Sequence, residues 1–255
     1  MKTFVFVLGS IFALSLSASV SGAAQKEARF FEMRTYYAAP GKLDDLLARF
    51  RDHTTKLFEK HGMVNIGYWL PVTNSENKLI YILAYPTREA RETSWKEFSA
   101  DPEWKTVAKE SERNGRLVTR VQSVFMTATD FSPEIRPDRS SGSRVFELRT
   151  YHASPGKLDA LLARFRDHTT RLFEKHGMQN FGYWVPTETK DGAGETLIYI
   201  LAHKSREAGE KSFNAFRSDP EWTKVKTESE ANGSLTVKDG VQSLLMTPTD
   251  FSATK

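Results

Sequence analysis

The sequence predicts an α+β chain of two tandem β-α-β-β-α-β domains that pack together as an intrachain pseudo-dimer. Three observations carry this prediction. One unit is written twice. Each copy alternates strand and helix periodicities in the same order. Each copy also leaves one sheet face too apolar to stay wet.

The repeat is direct. Phe31-Glu-Met-Arg-Thr-Tyr36 recurs as Phe146-Glu-Leu-Arg-Thr-Tyr151, and from 31–71 against 146–186 all 41 positions align without a gap, with 33 identical. Leu79-Ile-Tyr-Ile-Leu-Ala84 recurs at Leu197–Ala202, Asp101-Pro-Glu-Trp104 at Asp219–Trp222, and Thr129-Asp-Phe-Ser132 at Thr249–Ser252. A period above about 100 residues is too long for a solenoid and means two whole domains. We place them at 28–131 and 144–251. Between them, 132–143 carries two prolines, a glycine and four serines, and reads as a surface linker.

Within the first copy, Phe30 to Tyr37 alternates as a strand, with Phe31, Met33, Thr35 and Tyr37 on one face and Glu32, Arg34 and Tyr36 on the other. Pro40-Gly41 turns the chain into a helix whose apolar face is Leu43, Leu46, Leu47, Phe50, Leu57 and Phe58, stopped by Gly62. Ile66–Leu70 is an aromatic strand ended by Pro71, and Leu79–Tyr85 is apolar enough to be covered on both faces. A second helical region from Thr87 restarts at Asp101-Pro102, an N-cap followed by proline at the first helical position. The last strand spans Leu117 to Met126. This order is that of a ferredoxin-like unit. Its helices cover one sheet face, and the second copy is available to cover the other.

Composition narrows the function classes. The chain has 255 residues, 39% hydrophobic and 27% charged, as a soluble globular protein does. With no cysteine there are no disulfides, Cys-based zinc sites, iron–sulfur clusters or thiol nucleophiles. The 36 basic against 32 acidic residues are scattered without a basic stripe, so a nucleic-acid partner is not expected. No G-x-S-x-G, H-E-x-x-H or phosphate-cradling glycine loop occurs, which disfavours hydrolases and nucleotide enzymes.

Met1 to about Ala24 reads as a secretory signal peptide. Lys2 precedes an apolar run from Phe4 to Leu16, then small residues up to Ala23-Ala24. The run is shorter than the ~20 residues that span a bilayer. A secreted or periplasmic location is therefore expected, with no stable membrane anchor after cleavage.

Glu32-x-Arg34-Thr35-Tyr36, Pro40-Gly41-Lys42, His61-Gly62, Gly67-Tyr68-Trp69, Asp101-Pro102-x-Trp104 and Thr129-Asp130-Phe131 occur in order, twice. Together they resemble the NIPSNAP family of the dimeric α/β-barrel superfamily. The resemblance implies two ferredoxin-like domains forming one intrachain barrel. It implies no common reaction, although the superfamily includes cofactor-free monooxygenases, isomerases and haem-handling enzymes, with sites between sheet and helices. The chain departs from the family pattern at Ala84 and Ala202, where a bulky Trp is usual. That change either enlarges a pocket or is filled by Phe98 and Phe216.

Several residues are candidates for chemistry. His61 and His176 are candidate catalytic bases, each falling near the middle of an apolar helix face; the plainer alternative is a histidine bracing a helix end. His53 and His168 lie eight residues before them, about 12 Å along a helix, too far to share a metal. Arg34 and Tyr36, with Arg149 and Tyr151, offer a polar grip on an anionic or phenolic ligand; the alternative is an ion pair with Glu32 or Glu147 that braces the sheet. Tyr68 and Tyr183, next to Trp69 and Trp184, are candidates to stack an aromatic ligand or to fill core. Any site is expected in both halves with equivalent residues, apart from Tyr37 against His152. No metal and no cofactor are expected, though haem stays open because it needs one axial histidine. The leading expectation is a small-organic-molecule binder, against an oxygenase or isomerase and against an interaction module with a filled pocket. Further oligomerisation is left open.

Overall fold

The structure, a computed structural model, describes residues 29–139, 142 and 144–255. The signal-peptide expectation falls on residues outside this range.

The first half runs β1 (Phe30–Ala38), α1 (Leu43–Arg49), a π-helical turn (Phe50–Thr54), α2 (Thr55–Lys60), β2 (Val64–Pro71), β3 (Lys78–Tyr85), α3 (Arg88–Ala100), α4 (Pro102–Ser111) and β4 (Val118–Ala128). The second half repeats it as β5 (Val145–Ala153), α5 (Leu158–Arg164), a π turn (Phe165–Thr169), α6 (Thr170–Lys175), β6 (Gln179–Pro186), β7 (Thr196–His203), α7 (Arg206–Arg217), α8 (Pro220–Ser229) and β8 (Thr236–Pro248). A 3-10 turn at Thr189–Asp191 precedes β7.

The eight strands form a closed barrel in the order β1-β3-β2-β8-β5-β7-β6-β4. All pairings are antiparallel. Closure comes from two short seams between the halves: Trp69–Pro71 against Met246–Pro248, and Met126–Ala128 against Trp184–Pro186. Along these seams each half covers part of the other's strand edges.

The period-2 alternation then assigns the faces. Phe31 belongs to the apolar filling of the barrel, with Trp69, Ile80, Ile82, Met126 and their counterparts from the other half. Each half's tryptophan reaches across. Trp69 meets Phe146 at 5.5 Å between ring centroids, and Trp184 meets Phe31 at 6.0 Å. Gly67 and Gly182 make this fit, because a β-carbon at either would run into the six-membered ring of the tryptophan two residues on. Tryptophans buried this completely contribute on the order of 2–3 kcal/mol each.

The Thr-Asp-Phe-Ser motif is the second device that ties the halves. Thr129 N–H donates to the Tyr183 carbonyl, Ser132 Oγ accepts from Tyr183 N–H, Phe131 packs on Tyr183 and Asp130 pairs with Arg166. Thr249, Ser252, Phe251 and Asp250 do the same for Tyr68 and Arg51.

Two expectations are corrected here. The first part of the linker is not merely surface. Ile135 is 4% exposed and joins the barrel filling beside Gly182, where the missing side chain leaves it room. Ala84 and Ala202 face the barrel interior, whereas Phe98 and Phe216 belong to the clusters under the helices, so these phenylalanines do not fill the alanine positions.

Candidate functional site

The polar face of β1 lies beneath α3. Glu32 is fully buried there and accepts six hydrogen bonds: from Arg34 (2.5 Å), Ser123 (2.5 Å), Tyr85 (3.3 Å), Trp95 Nε1 (3.1 Å) and twice from Arg91 (2.9 and 3.0 Å). Burial pushes its pKa up, but the Arg91 hydrogen bonds, the Arg34 charge and Ser123 outweigh it and hold it below the usual range. Arg34 also donates to Tyr81 (3.0 Å) and Tyr36 (3.4 Å), and its guanidinium stands 4.3 Å from the centre of the Trp95 ring. Tyr68 stacks on Tyr81 at 5.2 Å, and its hydroxyl donates to Asn65. Arg34, Tyr36 and Tyr68 are thus brought together around Tyr81, in a packed network closed by Arg91 and Trp95.

The second half keeps the floor of this network and loses its roof. Arg149 bonds Glu147 (2.5 Å), Tyr199 (2.9 Å) and Tyr151 (3.2 Å), and Tyr183 stacks on Tyr199. Glu147 also accepts from Ser243 (2.5 Å) and His203 Nε2 (3.0 Å). Aligned from Leu79 and Leu197 onward, Gly209 stands where the first half has Arg91, Phe213 where it has Trp95, and His203 where it has Tyr85. An open-mouthed cavity of about 520 Å³ results, lined by Glu147, Arg149, Gly209, Phe213, Ser243 and Leu245, with Arg206 and Arg217 at its rim. That volume lies in the range of small-molecule sites. Burial raises the Glu147 pKa, yet the His203 and Ser243 hydrogen bonds and the Arg149 charge prevail and hold it at about 2, so it is a carboxylate at neutral pH.

Equivalent sites in both halves are therefore not what the fold builds. The three replacements lie beyond the 41 gapless positions on which that expectation rested. The signal was present in the later repeat: an Arg, a Trp and a Tyr change in a stretch whose Thr/Ser N-cap and Asp-Pro restart persist. The difference at Tyr37 and His152 lies elsewhere, with Tyr37 bonded to Gln122 and His152 to Thr196.

His61 and His176 do not lie on the middle of an apolar face. The π turn adds a residue to one turn and rotates every later side chain. Each histidine ends its helix as a C-cap, with Nε2 bonded to Asp101 (2.8 Å) or Asp219 (2.7 Å), the carboxylates that cap α4 and α8. Rings separate them from Arg34 and Arg149: Phe98, Phe58 and Tyr81 lie between His61 and Arg34, and Phe216, Phe173 and Tyr199 between His176 and Arg149. His53 is exposed and borders a separate open hollow between α1 and α4. Among the described residues, no group of three or more His, Asp or Glu is arranged to hold a metal, and no helix is long and apolar enough to cross a membrane.

The chain is an eight-stranded antiparallel barrel of the α+β class, with helices outside, built within a single chain from one unit used twice. It is similar over 87% of its length to a structure from Lactobacillus acidophilus described as a candidate monooxygenase, with a TM-score of 0.56, 10% identity and 94% of that chain covered. That likeness is one of fold. The NIPSNAP family profile matches residues 31–133 and 146–253, and the chain belongs to the NIPSNAP family. It is 24% identical over 179 residues to the NipSnap homolog of Dictyostelium discoideum, covering 69% of this chain and 73% of that protein. It is 24% identical over 243 residues to the human NipSnap homolog 3A, covering 94% and 91%.

Proposed function

We propose that this NIPSNAP protein is exported by its N-terminal signal and binds a small organic molecule between sheet and helix in its second half. Each half is read as a ferredoxin-like domain, and the two domains share one barrel. The observation that carries the reading is the cavity over Glu147 and Arg149. It combines a charged floor, an aromatic wall and an open mouth, the combination expected of a binding site rather than of a packing defect. The reading needs no cofactor.

Native mass spectrometry of the protein purified from its own source tests it. A small molecule released on denaturation, and absent from a variant whose cavity is filled at Gly209, is the expected result. A protein that retains nothing, and binds nothing from a fragment screen in a filling-sensitive way, removes the reading. Export is tested separately: the mature chain is expected to start near Ala24 or Gln25, and a product that keeps Met1 refutes it.

A second reading, proton-transfer catalysis of the isomerase or cofactor-free oxygenase kind, draws on the Glu147–His203 pair at 3.0 Å beside the cavity. Burial holds this imidazole in one place, as an acid–base group requires. Turnover that disappears in His203→Tyr, which restores the first half's residue, is its expected signature.

A further inference from the structure

The first half shows what the second half's cavity lacks. Of the six hydrogen bonds that reach Glu32, three come from Arg91 and Trp95. Glu147 has three in all, from Arg149, Ser243 and His203. The missing donors are a planar guanidinium that grips both carboxylate oxygens and an aromatic N–H beside it. The space they occupy in the first half is what Gly209, Phe213 and Leu245 vacate. In the first half Phe125, at the Leu245 position, stacks under the Arg91 guanidinium at 4.8 Å.

We propose that Arg91 and Trp95 are a built-in image of the ligand, and that the second half takes, once per chain, a flat cationic N–H donor, an amidinium or guanidinium on an aromatic-sized body. This rests on the small-molecule reading above and deepens it. Glu147 accepts three hydrogen bonds where the equivalent Glu32 accepts six, two of them from the Arg91 fork, so the same carboxylate has room for a paired donor. Fork-like donors match carboxylate geometry in pairs. Arg149 does not fill that role, because its Nε and second Nη are committed to Tyr199 and Tyr151. Phe213 and Leu245 supply apolar walls for the body of the ligand.

The rim adds a second recognition element. Arg217 stands where the first half has Ser99, bonds only the Asn214 side-chain carbonyl among its described contacts, and lies over Phe213. Arg206 is held by Glu210 at 3.0 Å. These guanidiniums sit at the mouth, clear of Glu147, and face the outer end of a bound molecule. A carboxylate there suits Arg217, so the ligand class is a zwitterion with its cationic head inward.

Calorimetric titration of the full chain with benzamidine, 4-carboxybenzamidine and benzoate tests this. Benzamidine is expected to bind at one site per chain, and 4-carboxybenzamidine a few-fold tighter, with the gain removed by Arg217→Ala. Glu147→Gln is expected to weaken both amidines by about tenfold or more. Because that carboxylate is buried and its replacement also weakens the fold, His203→Tyr/Gly209→Arg/Phe213→Trp provides a second test: a β-carbon at Gly209 would press on the His203 ring, so all three first-half residues are installed together over an intact Glu147, and binding should be abolished. The converse variant, Arg91→Gly/Trp95→Phe, should raise the stoichiometry to two. Absence of benzamidine binding, or binding indifferent to the installed roof, overturns the proposal. Benzoate binding as tightly as benzamidine, and lost when the roof is installed, also overturns it while leaving the small-molecule reading standing.

Discussion

Glu32 and Glu147 are the same residue of the repeat in two settings, and both are held below the usual carboxylate range. The Glu147 pKa falls from 4.5 to about 2 on folding. A depressed carboxylate contributes stability above its unfolded value and loses it as pH falls toward the folded one. We therefore expect stability to decline between about pH 4.5 and pH 2, by roughly 3 kcal/mol from this group. Glu147→Gln should flatten that part of the profile in urea denaturation measured across pH; an unchanged slope would contradict the assignment. The histidines give a second prediction. His61 and His176 join a helix end to the cap of the next helix, so His61→Gln/His176→Gln should lower the melting temperature by about 2–4 °C. Binding of benzamidine should not change, and a lost affinity would return the histidines to the site.

At the scale of elements, the π turns decide where later side chains point. Thr55 N–H bonds the Phe50 carbonyl, one residue farther back than an α-helix would, and the buried Thr54 hydroxyl donates to the Arg49 carbonyl at 3.1 Å. Thr169 does the same for Arg164. Thr54→Val keeps the shape and removes one hydrogen bond to that carbonyl, at a cost of about 0.5–1.5 kcal/mol. Chemical denaturation of Thr54→Val and Thr169→Val should show this loss in each; a neutral effect in both would mean that the hydroxyls do not support the turns. The 3.6-residue periodicity of Leu43 to Phe58 made the helix legible. The extra residue was not, because Phe50, Leu57 and Phe58 suit either winding.

At the scale of the molecule, the barrel makes each half the other's core. One half alone would expose Phe31, Trp69, Ile80, Ile82 and Met126 on a bare sheet face, together with two unpaired strand edges. The segment 29–139 expressed alone should therefore associate with a second copy, using its own Thr129–Ser132 motif on that copy's Tyr68. Analytical ultracentrifugation should find a dimer, and a stable monomer would show that closure is not what holds the halves. Such a dimer would carry the roof of Arg91 and Trp95 twice and should not bind benzamidine.

The sequence by itself determined the twofold repeat, the element order in each copy, the apolar sheet face that demanded a partner, and the family. The repeat follows from comparing the two copies, and the rest from local periodicity and ordered motifs that each copy displays. The polar face of β1 was legible too, because Glu32, Arg34 and Tyr36 alternate with apolar residues. Only the tertiary structure decided that the Thr-Asp-Phe-Ser motif serves the opposite half, that Ile135 plugs the barrel, and that the helix-ending histidines bond Asp101 and Asp219. Those facts depend on which strand edges meet and on a π turn's rotation, neither of which leaves a period in the chain. The open roof over Glu147 belongs with them. Arg91, Trp95 and Tyr85 are spread over ten residues of sequence and converge on one carboxylate more than fifty residues away. Replacing them with Gly209, Phe213 and His203 is a change of site only once the fold has brought them together.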